Sequence, residues 1–308
     1  MKVLVTGGAG FIGSHIVDLF LERGNEVFVI DNLINGKRSN INKDAVFYLC
    51  NILDYDNMLK VFKVNKPEVV IHHAAHVSVS SSIKEPQIDA LSNICGTINV
   101  LKCCKKVGVR KIIYASSAAA YGELEYFPVD EEHPTNPISF YGLSKQTCEE
   151  YIKLYERYFQ LNYTIFRYAN VYGARQNSNS DGGVISILVD KFMNEEKITI
   201  YGDGKQTRDF IYVKDVALAN YMALREGDNE TINICSNKEI SIIDLYQLIM
   251  NITKKDIGIK YLSHRSGDIY RSIMDNSKAV NILKWLPKYS LKDGLSELIK
   301  ETYKICQK

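Results

Sequence analysis

The sequence has no cysteine pattern typical of a metal site or of a disulfide framework. Its seven cysteines include no CxxC pair and follow no metal-ligand spacing. An odd and unpatterned set in a chain of 308 residues is typical of reduced thiols. We therefore expect a cytoplasmic protein without structural disulfides.

The sequence also lacks a large net charge and a long apolar run. The net charge is only +2, and basic residues are scattered among acidic ones, which argues against nucleic-acid binding. No stretch of about 18 apolar residues is uninterrupted, and the apolar run before the first glycines is too short for a signal peptide. We expect a soluble protein that binds neither nucleic acid nor a membrane.

The first half of the chain alternates β-rich runs with helix-patterned segments. This alternation predicts a doubly wound parallel sheet, and the two-sided apolar character of the strands fits a sheet covered on both faces. The predicted strands are 2–6, 26–30, 45–49, 68–73, 111–116 and 163–168, and the predicted helices are 11–23, 54–64, 86–107 and 140–160.

The regular alternation of predicted strands and helices ends after about residue 170. A polar, glycine-rich stretch predicts a loop, and mixed short helices and strands follow to a last amphipathic helix near 290–306. We expect an α/β protein with a Rossmann-type dinucleotide-binding domain and a smaller C-terminal α/β substrate domain. The first would comprise 1–170 with a returning segment near 209–238, and the second mainly 171–308.

A glycine cluster, GGAGFIG (7–13), follows the first predicted strand and opens the first helix. Missing side chains let the backbone approach a pyrophosphate at the positive helix N-terminus. Asp31 ends the second strand, where a carboxylate accepts both adenosine-ribose hydroxyls and repels a 2′-phosphate. This arrangement favours NAD over NADP, although Asp31 alone also suits a turn, and Lys37 and Arg38 could serve a phosphate.

Tyr141 and Lys145, in YGLSK, are spaced to share one helical face. An ammonium near a phenol favours the phenolate, so we expect Lys145 to lower the tyrosine pKa from about 10 and make Tyr141 a general base near neutral pH. Ser116 and Ser117 end the preceding predicted strand. We expect Ser117 to hydrogen-bond the reacting oxygen and Ser116 to cap the strand end.

The cluster HHAAH places His72 and His76 four residues apart. On a helix this spacing would suggest a metal site, but the cluster lies across a strand end. It also lacks a carboxylate or cysteine partner. We expect no metal.

Eight motifs follow one another along nearly the whole chain: GGAGFIG, VIHHAAHVSV, NICGTINVLK, YASSAAAYG, YGLSK, RYANVYGARQ, YGDGKQTRDFIYVKDVA and RSGDI. In this order they resemble the extended short-chain dehydrogenase/reductase family, specifically its nucleotide-sugar 4-epimerases of the UDP-glucose 4-epimerase type. The resemblance implies NAD as cofactor, a UDP-sugar as substrate and a homodimer formed through the helices near 86–107 and 140–160.

The resemblance also implies a role for each matching residue. The catalytic residues would be Ser117, Tyr141 and Lys145. The cofactor contacts would be Gly7, Gly10, Phe11, Ile12, Gly13, Asp31, Asn32, Asn51, Ile52, Ala74, Ala75, Asn93, Tyr141, Lys145 and Tyr168. The substrate contacts would be Ser117, Asn170, Val184, Tyr201, Arg208, Arg265, Asp268 and Ser272. Asn51 stands where the family commonly has aspartate, so we expect an altered adenine contact.

Ala118 and Ala119 narrow the chemistry that the resemblance implies. Related nucleotide-sugar dehydratases and UDP-glucuronate decarboxylases carry carboxylates in this stretch, and without one a dehydration lacks its acid and base. The remaining chemistry is oxidation at one carbon and its reversal, which indicates 4-epimerisation of a UDP-hexose through a 4-keto sugar. The resemblance also implies that Ser272, seven residues after the arginine of RSGDI, lines the sugar pocket; its small side chain would leave room for a 2-acetamido group, so UDP-GlcNAc/UDP-GalNAc are candidates beside UDP-glucose/UDP-galactose.

Three alternatives stay open at this point. One is a UDP-glucuronate-acting epimerase or decarboxylase, which would release carbon dioxide in the second case. Another is a net nucleotide-sugar oxidoreductase, which would produce free NADH. The third is a non-catalytic NAD-sensing or scaffold protein, which the presence of Ser117, Tyr141 and Lys145 disfavours.

Overall fold

A computed structural model describes residues 1–178, 183–264 and 269–306 of the chain. Its strands are Lys2–Thr6 (β1), Glu26–Asp31 (β2), Val46–Leu49 (β3), Val69–His72 (β4), Lys111–Ser117 (β5), Asn162–Tyr168 (β6), Asn170–Tyr172 (β7), Ile198–Tyr201 (β8), Thr207–Tyr212 (β9), Glu230–Ile234 (β10), Glu239–Ser241 (β11) and Ile259–Leu262 (β12). Its α-helices are Phe11–Glu22 (α1), Tyr55–Asn65 (α2), Val79–Lys84 (α3), Pro86–Ala90 (α4), Gly96–Val107 (α5), Phe140–Phe159 (α6), Val184–Met193 (α7), Val213–Met222 (α8), Ile242–Thr253 (α9), Ser277–Leu283 (α10) and Leu291–Cys306 (α11).

The central sheet has the order β10-β6-β5-β4-β1-β2-β3 over the described residues, and each of its neighbouring strands is parallel. One apolar core lies between the sheet and the helices α1 and α8, and another lies between the opposite face and α2, α5 and α6. The strands are rich in valine and isoleucine because both of their faces are buried. The predicted doubly wound fold is confirmed.

The last strand of the sheet comes from far along the chain. β10 pairs with β6, so the segment 230–234 closes the sheet after the chain has left it for β7, β8 and β9. A third core surrounds β9 and is formed with α7, α9 and α11. This smaller layer stands beside the carboxyl edge of the sheet, where β6 leads directly into β7.

The segment 86–107 was predicted as one helix, and the structure divides it. α4 begins at Pro86, and a π-helical turn at Leu91–Cys95 joins it to α5. Proline suits the first turn because its missing N–H has no helical partner there. The π turn carries Asn93, whose buried amide binds the loop after β4, and this tertiary contact has no signal in the helical periodicity.

Helix α6 begins one residue before Tyr141. The hydroxyl of Ser139 caps the helix by accepting a hydrogen bond from the Gly142 amide at 3.1 Å. Tyr141 therefore lies in the first turn, and its own amide donates to Ser82 Oγ at 3.1 Å. The tyrosine thus faces the carboxyl ends of the strands, where doubly wound sheets bind ligands.

No helix within the described residues is both long enough and apolar enough to cross a membrane.

Candidate active site

The glycine loop connects β1 to α1 in a close turn. Gly7 has φ of +72°, and a Cβ there would lie 2.6 Å from the Ala74 amide nitrogen, so the position requires glycine. A Cβ at Gly10 would lie 3.2 Å from the Gly7 carbonyl oxygen. No side chain of the described residues caps α1, whose first N–H groups lack helical acceptors. The loop is therefore a cradle that suits a pyrophosphate.

The Asp31 carboxylate lies beside this loop and is 7% exposed. It accepts hydrogen bonds from the Ala9 amide at 3.0 Å and the Leu33 amide at 2.8 Å. A carboxylate has about four acceptor positions, so it retains capacity for a ribose diol. The Arg38 guanidinium instead lies 5.3 Å from the centre of the Phe47 ring. These residues fit NAD.

Other predicted cofactor residues lie on loops at the same sheet edge. Asn32 and Asn51 each accept a backbone N–H two residues ahead, at 3.1 and 2.9 Å. The Asn51 oxygen thus already holds its turn while keeping a second lone pair for adenine. Ile52 is 7% exposed, and Ala74 and Ala75 are half-buried in the loop after β4.

Asn93 differs from these because its side chain is 2% exposed and already hydrogen-bonded within the protein. Its oxygen accepts the His76 amide at 2.7 Å, and its nitrogen donates to Asp89 at 3.0 Å and to Ser144 Oγ at 3.0 Å. In the described structure Asn93 therefore supports the loop after β4 against α6.

Ser117, Tyr141 and Lys145 meet at the carboxyl end of β5. Ser117 lies close enough to Tyr141 to lower the pKa of its phenol, and Ser117 Oγ accepts the Ala119 amide at 3.2 Å. Lys145 is 3% exposed and donates to the Ala115 carbonyl at 2.7 Å. Its Nζ lies 5.8 Å from the centre of the Tyr141 ring. The structure thus brings the three predicted catalytic residues together.

The expectation that Lys145 lowers the Tyr141 pKa is wrong for this structure. Burial raises the pKa of Tyr141 to about 12, the nearby Asp89 charge adds to this, and the Ser117 hydrogen bond opposes it. Burial likewise lowers the pKa of Lys145 to about 8, with Cys148, Asp89 and Glu149 opposing. Desolvation is thus the largest influence on both groups, and the Lys145 ammonium donates to the Ala115 carbonyl instead of the phenol.

Tyr168, at the end of β6, is 5% exposed and belongs to a small polar group beside Lys145. Its hydroxyl accepts from Asn220 at 2.9 Å and lies 3.3 Å from His73 Nε2. Burial, reinforced by the Lys145 charge, lowers the pKa of His73 to about 3, so this imidazole stays neutral at physiological pH.

Residues 118–120 form a 3₁₀ turn, which we call the alanine turn, directly after Ser117. Gly142 packs against it: a Cβ at Gly142 would lie 3.0 Å from the Ala119 carbonyl carbon and closer still to its oxygen. The turn and the glycine next to Tyr141 thus let the helix approach the strand end. The turn itself contributes no acid or base to the site.

The predicted substrate residues lie around the smaller layer. Asn170 begins β7, is exposed, and donates to the Asp209 carbonyl at 3.0 Å. Arg208 lies on the paired strand β9, with Nη1 donating to the Thr207 carbonyl at 2.7 Å. Val184 begins α7, and Tyr201 ends β8. These residues come from four separate elements.

Ser272 is half-buried, and the following residue, Ile273, accepts the Val129 amide at 3.0 Å. That bond ties its segment to the loop after the alanine turn. The two remaining predicted substrate residues, Arg265 and Asp268, lie outside the described residues.

His72 is a core residue, and no group of three or more potential metal ligands occurs in the part of the chain that the structure describes. The ring nitrogens of His72 lie 2.6 Å from Thr6 Oγ1 and 3.0 Å from Thr97 Oγ1. His76 points elsewhere, with Nδ1 3.5 Å from an Asp89 carboxylate oxygen.

Two buried carboxylates, Asp89 and Glu149, lie near Tyr141 and Lys145 and were not predicted as site residues. Glu149 is four residues after Lys145, so the helical spacing that identified the pair could have included it. Asp89 influences the pKa of both Tyr141 and Lys145 from α4. Nothing in the sequence linked Asp89 to that pair, because only the tertiary packing brings α4 beside α6.

Comparisons with known proteins agree with this geometry. The family model described as the NAD dependent epimerase/dehydratase family matches residues 3–235. The UDP-glucose 4-epimerase of Thermotoga maritima, solved with UDP-glucose, is 42% identical, with a TM-score of 0.97 over 99% of this chain and 100% of the other.

Two further solved structures are similar over nearly their whole length. The UDP-N-acetylglucosamine 4-epimerase of Methanobrevibacter ruminantium, in complex with UDP-N-acetylmuramic acid, is 37% identical, with a TM-score of 0.94 over 100% of this chain and 99% of the other. The Thermus thermophilus UDP-glucose 4-epimerase in complex with NAD is 34% identical, with a TM-score of 0.93 over 98% and 99%. The chain therefore belongs to the NAD dependent epimerase/dehydratase family.

Proposed function

We propose that the protein catalyses the NAD-dependent 4-epimerisation of a UDP-hexose. The observation that carries the proposal is the meeting of Ser117, Tyr141 and Lys145 beside the glycine loop, with only alanine side chains in the turn that follows. Such a site can move one proton at one alcohol and has no carboxylate in that turn for an elimination. The named relatives, which are UDP-glucose and UDP-N-acetylglucosamine 4-epimerases, support the same reaction.

The cofactor fits residues that are already placed. The glycine loop would hold the pyrophosphate, Asp31 the adenosine ribose, and Lys145 the ribose of the nicotinamide. Bound NAD supplies the hydride acceptor and donor, together with the positive charge of the oxidised nicotinamide ring.

Tyr141 performs the proton transfer in the proposed reaction. A phenol with a raised pKa holds its proton, so a cationic environment is needed before it can accept the proton of the sugar 4-hydroxyl. A pKa of about 8 leaves Lys145 mostly protonated at neutral pH, but its ammonium turns towards Ala115, so the charge of the oxidised nicotinamide ring would be the main contribution. Ser117 lies beside the Tyr141 phenol and would orient the same 4-hydroxyl oxygen of the sugar. Tyr141 returns the proton once the 4-keto sugar has presented its other face.

The change of face requires a fixed diphosphate and a movable sugar. We propose that Asn170, Arg208 and the matched residues Arg265 and Asp268 hold the UDP moiety, with Val184 and Tyr201 beside it. Guanidinium groups match phosphate oxygens bidentately, so an arginine next to a glycine turn suits this role. The sugar then rotates about its link to the diphosphate.

The sugar range follows from Ser272. Its small side chain leaves room for a 2-acetamido group, and we propose that UDP-GlcNAc/UDP-GalNAc are accepted beside UDP-glucose/UDP-galactose.

We also propose a cytoplasmic homodimer. Support for the dimer is an exposed apolar face of α6, with Tyr151, Leu154, Tyr158 and Phe159 each at least 38% exposed.

The test uses purified protein without added cofactor. UDP-galactose and, separately, UDP-GalNAc are incubated with it, and the anomeric sugar signals are followed by NMR. We expect conversion to both 4-epimers, without release of free NADH or carbon dioxide. Tyr141→Phe is the matched control, because it keeps the ring and removes the proton carrier, and we expect it to lower the rate by about 10²–10⁴. No conversion after NAD is supplied would refute the proposal.

A further inference from the structure

A buried ion pair that the proposed reaction does not use lies behind the catalytic side chains. Glu149 in α6 is fully buried, and Arg167 in β6 is 5% exposed. Nε and Nη2 of Arg167 donate to the Glu149 carboxylate at 3.1 and 2.6 Å. Such a pair contributes little net stability, because both charges lose their hydration. The pair can therefore orient neighbouring groups of the site while adding little to the free energy of unfolding.

Ser116 also bonds to Glu149 and connects this ion pair to the candidate active site. Ser116 Oγ donates to Glu149 Oε1 at 2.5 Å, and Ser116 directly precedes Ser117 in β5. Ser116 thus does more than cap the strand end, which was its predicted role. It connects the buried carboxylate of the helix to the strand that carries the reacting hydroxyl.

Three consecutive residues of β5 face three side chains of α6. Lys145 donates to the Ala115 carbonyl and Glu149 accepts from Ser116, while the Tyr141 phenol lies beside Ser117. The three helical residues are spaced four apart and so share one face. These bonds fix both the height and the rotation of the helix relative to the strand end. Loss of the bond between Ser116 and Glu149 would leave Ser117 free to shift away from the Tyr141 phenol.

Glu149 also acts on the charge of Lys145. Burial lowers the pKa of that ammonium, and the carboxylate one turn further along the helix opposes the shift. Cys148 and Asp89 act in the same direction. The buried carboxylate thus helps the lysine to remain cationic in the pH range where the phenol must take up a proton.

We propose that Glu149 is a positioning residue of the active site, which holds the Ser117 strand end against the catalytic helix through Ser116 and is itself oriented by Arg167. Its kinetic consequences rest on the proposed epimerisation. The structural consequence, a fixed strand end, does not.

The principal test is Ser116→Ala, which removes the bond to the strand and leaves the ion pair intact. We expect kcat to fall roughly 10- to 100-fold with KM unchanged, because a small displacement of a reacting group has an effect of this size. Hydrogen exchange of the amides at 115–119 should become faster. The matched control is Thr164→Val, which loses an equally buried hydroxyl bond, to the Gly227 carbonyl at 2.6 Å, elsewhere in the sheet. We expect it to keep kcat and the exchange at 115–119.

A second variant, Glu149→Gln, tests the electrostatic part in the holoenzyme. We expect the alkaline limb of kcat/KM to move to lower pH, because Lys145 loses a nearby negative charge. Glu150→Gln, which changes the exposed pair with Lys153 on the same helix, should leave the limb in place. If Glu149→Gln does not fold, Ser116→Ala decides the matter alone.

The outcomes separate this proposal from the proposed function. Wild-type kcat and unchanged exchange in Ser116→Ala would overturn the positioning role, as would an equal loss of kcat in Thr164→Val. A wild-type protein that epimerises no UDP-sugar would refute the function, and the exchange at 115–119 would still decide the positioning role.

Discussion

Replacing Gly142 by alanine adds one methyl group where the catalytic helix meets the alanine turn. Ordinary contact with a Cβ begins near 3.4 Å, but this Cβ would lie 3.0 Å from the Ala119 carbonyl carbon and closer still to the oxygen. Both partners are backbone groups and cannot rotate away. We therefore expect the first turn of α6 to retreat by about 1 Å, which separates Tyr141 from Ser117.

Two effects of opposite sign decide the stability of this variant. Alanine is favoured over glycine within a helix by about 1 kcal/mol, whereas overpacking costs about 1–3 kcal/mol. The free energy of unfolding should thus fall by only about 0–2 kcal/mol. The rate responds more strongly, since a misplacement of about 1 Å can lower kcat by about 10²-fold. The expected signature is a melting temperature lowered by at most a few degrees together with a severe loss of kcat.

Gly294→Ala is the matched control for the clash itself. A Cβ at Gly294, in α11, would collide with the Tyr172 hydroxyl in the third core, away from the catalytic residues. We expect that variant to lose stability and to keep kcat per folded molecule. Thermal unfolding and the NMR epimerase assay measure both quantities. A Gly142→Ala protein with wild-type kcat would refute the reasoning that close approach of α6 sets the Tyr141–Ser117 contact.

Three further predictions concern pH, sugar range and cofactor binding. Burial lowers the pKa of His15 to about 4 and those of His72 and His73 to about 3. In the unfolded chain these histidines bind protons near pH 6.5, so the free energy of unfolding should fall as the pH drops below that value. The fall should amount to at most about 1.4 kcal/mol per pH unit for each histidine. Denaturant titrations from pH 7 to 4 measure this slope, and His15→Gln should flatten it; an equally steep slope in that variant would contradict the assignment. Ser272→Tyr should lower kcat/KM for UDP-GalNAc at least about 10-fold more than for UDP-galactose, since a bulky ring clashes only with the acetamido group; equal losses in parallel assays would exclude Ser272 from the sugar pocket. Asp31→Ser should weaken NAD binding about 10-fold or more by calorimetry, because hydrogen bonds to a charged group contribute about 1.5–3 kcal/mol; unchanged affinity would remove Asp31 from the cofactor site.

Much of the fold was predictable because its signals are local. The apolar runs of β1 and β2 and the amphipathic pattern of α1 gave boundaries that agree with the structure to within one residue. Helix α3, by contrast, is short and rich in serine, so it carries neither periodicity nor strong propensity. It was not predicted.

The convergence of the three candidate catalytic residues was predictable from the sequence, but their electrostatics were not. Spacing and strand ends were enough to bring Tyr141, Lys145 and Ser117 together. The pKa of Tyr141 depends on how deeply the phenol is buried and on which acceptor the lysine chooses, and both are properties of tertiary packing. Long-range contacts such as that of Asp89 likewise have no signature in a single segment.

The return of β10 to the sheet has a consequence for how the chain folds. Strand β6 is complete at residue 168, but its outer edge stays unpaired until residues 230–234 are available. During synthesis an open parallel edge is therefore exposed while more than 60 further residues are added, and such edges pair readily with other chains. Pairings of this sequence separation also slow folding, because a long loop must close before the contact is made. The nascent chain should thus be most prone to aggregation in the interval between β6 and β10, and a truncation within that interval should be insoluble although it contains the whole glycine loop and the catalytic residues.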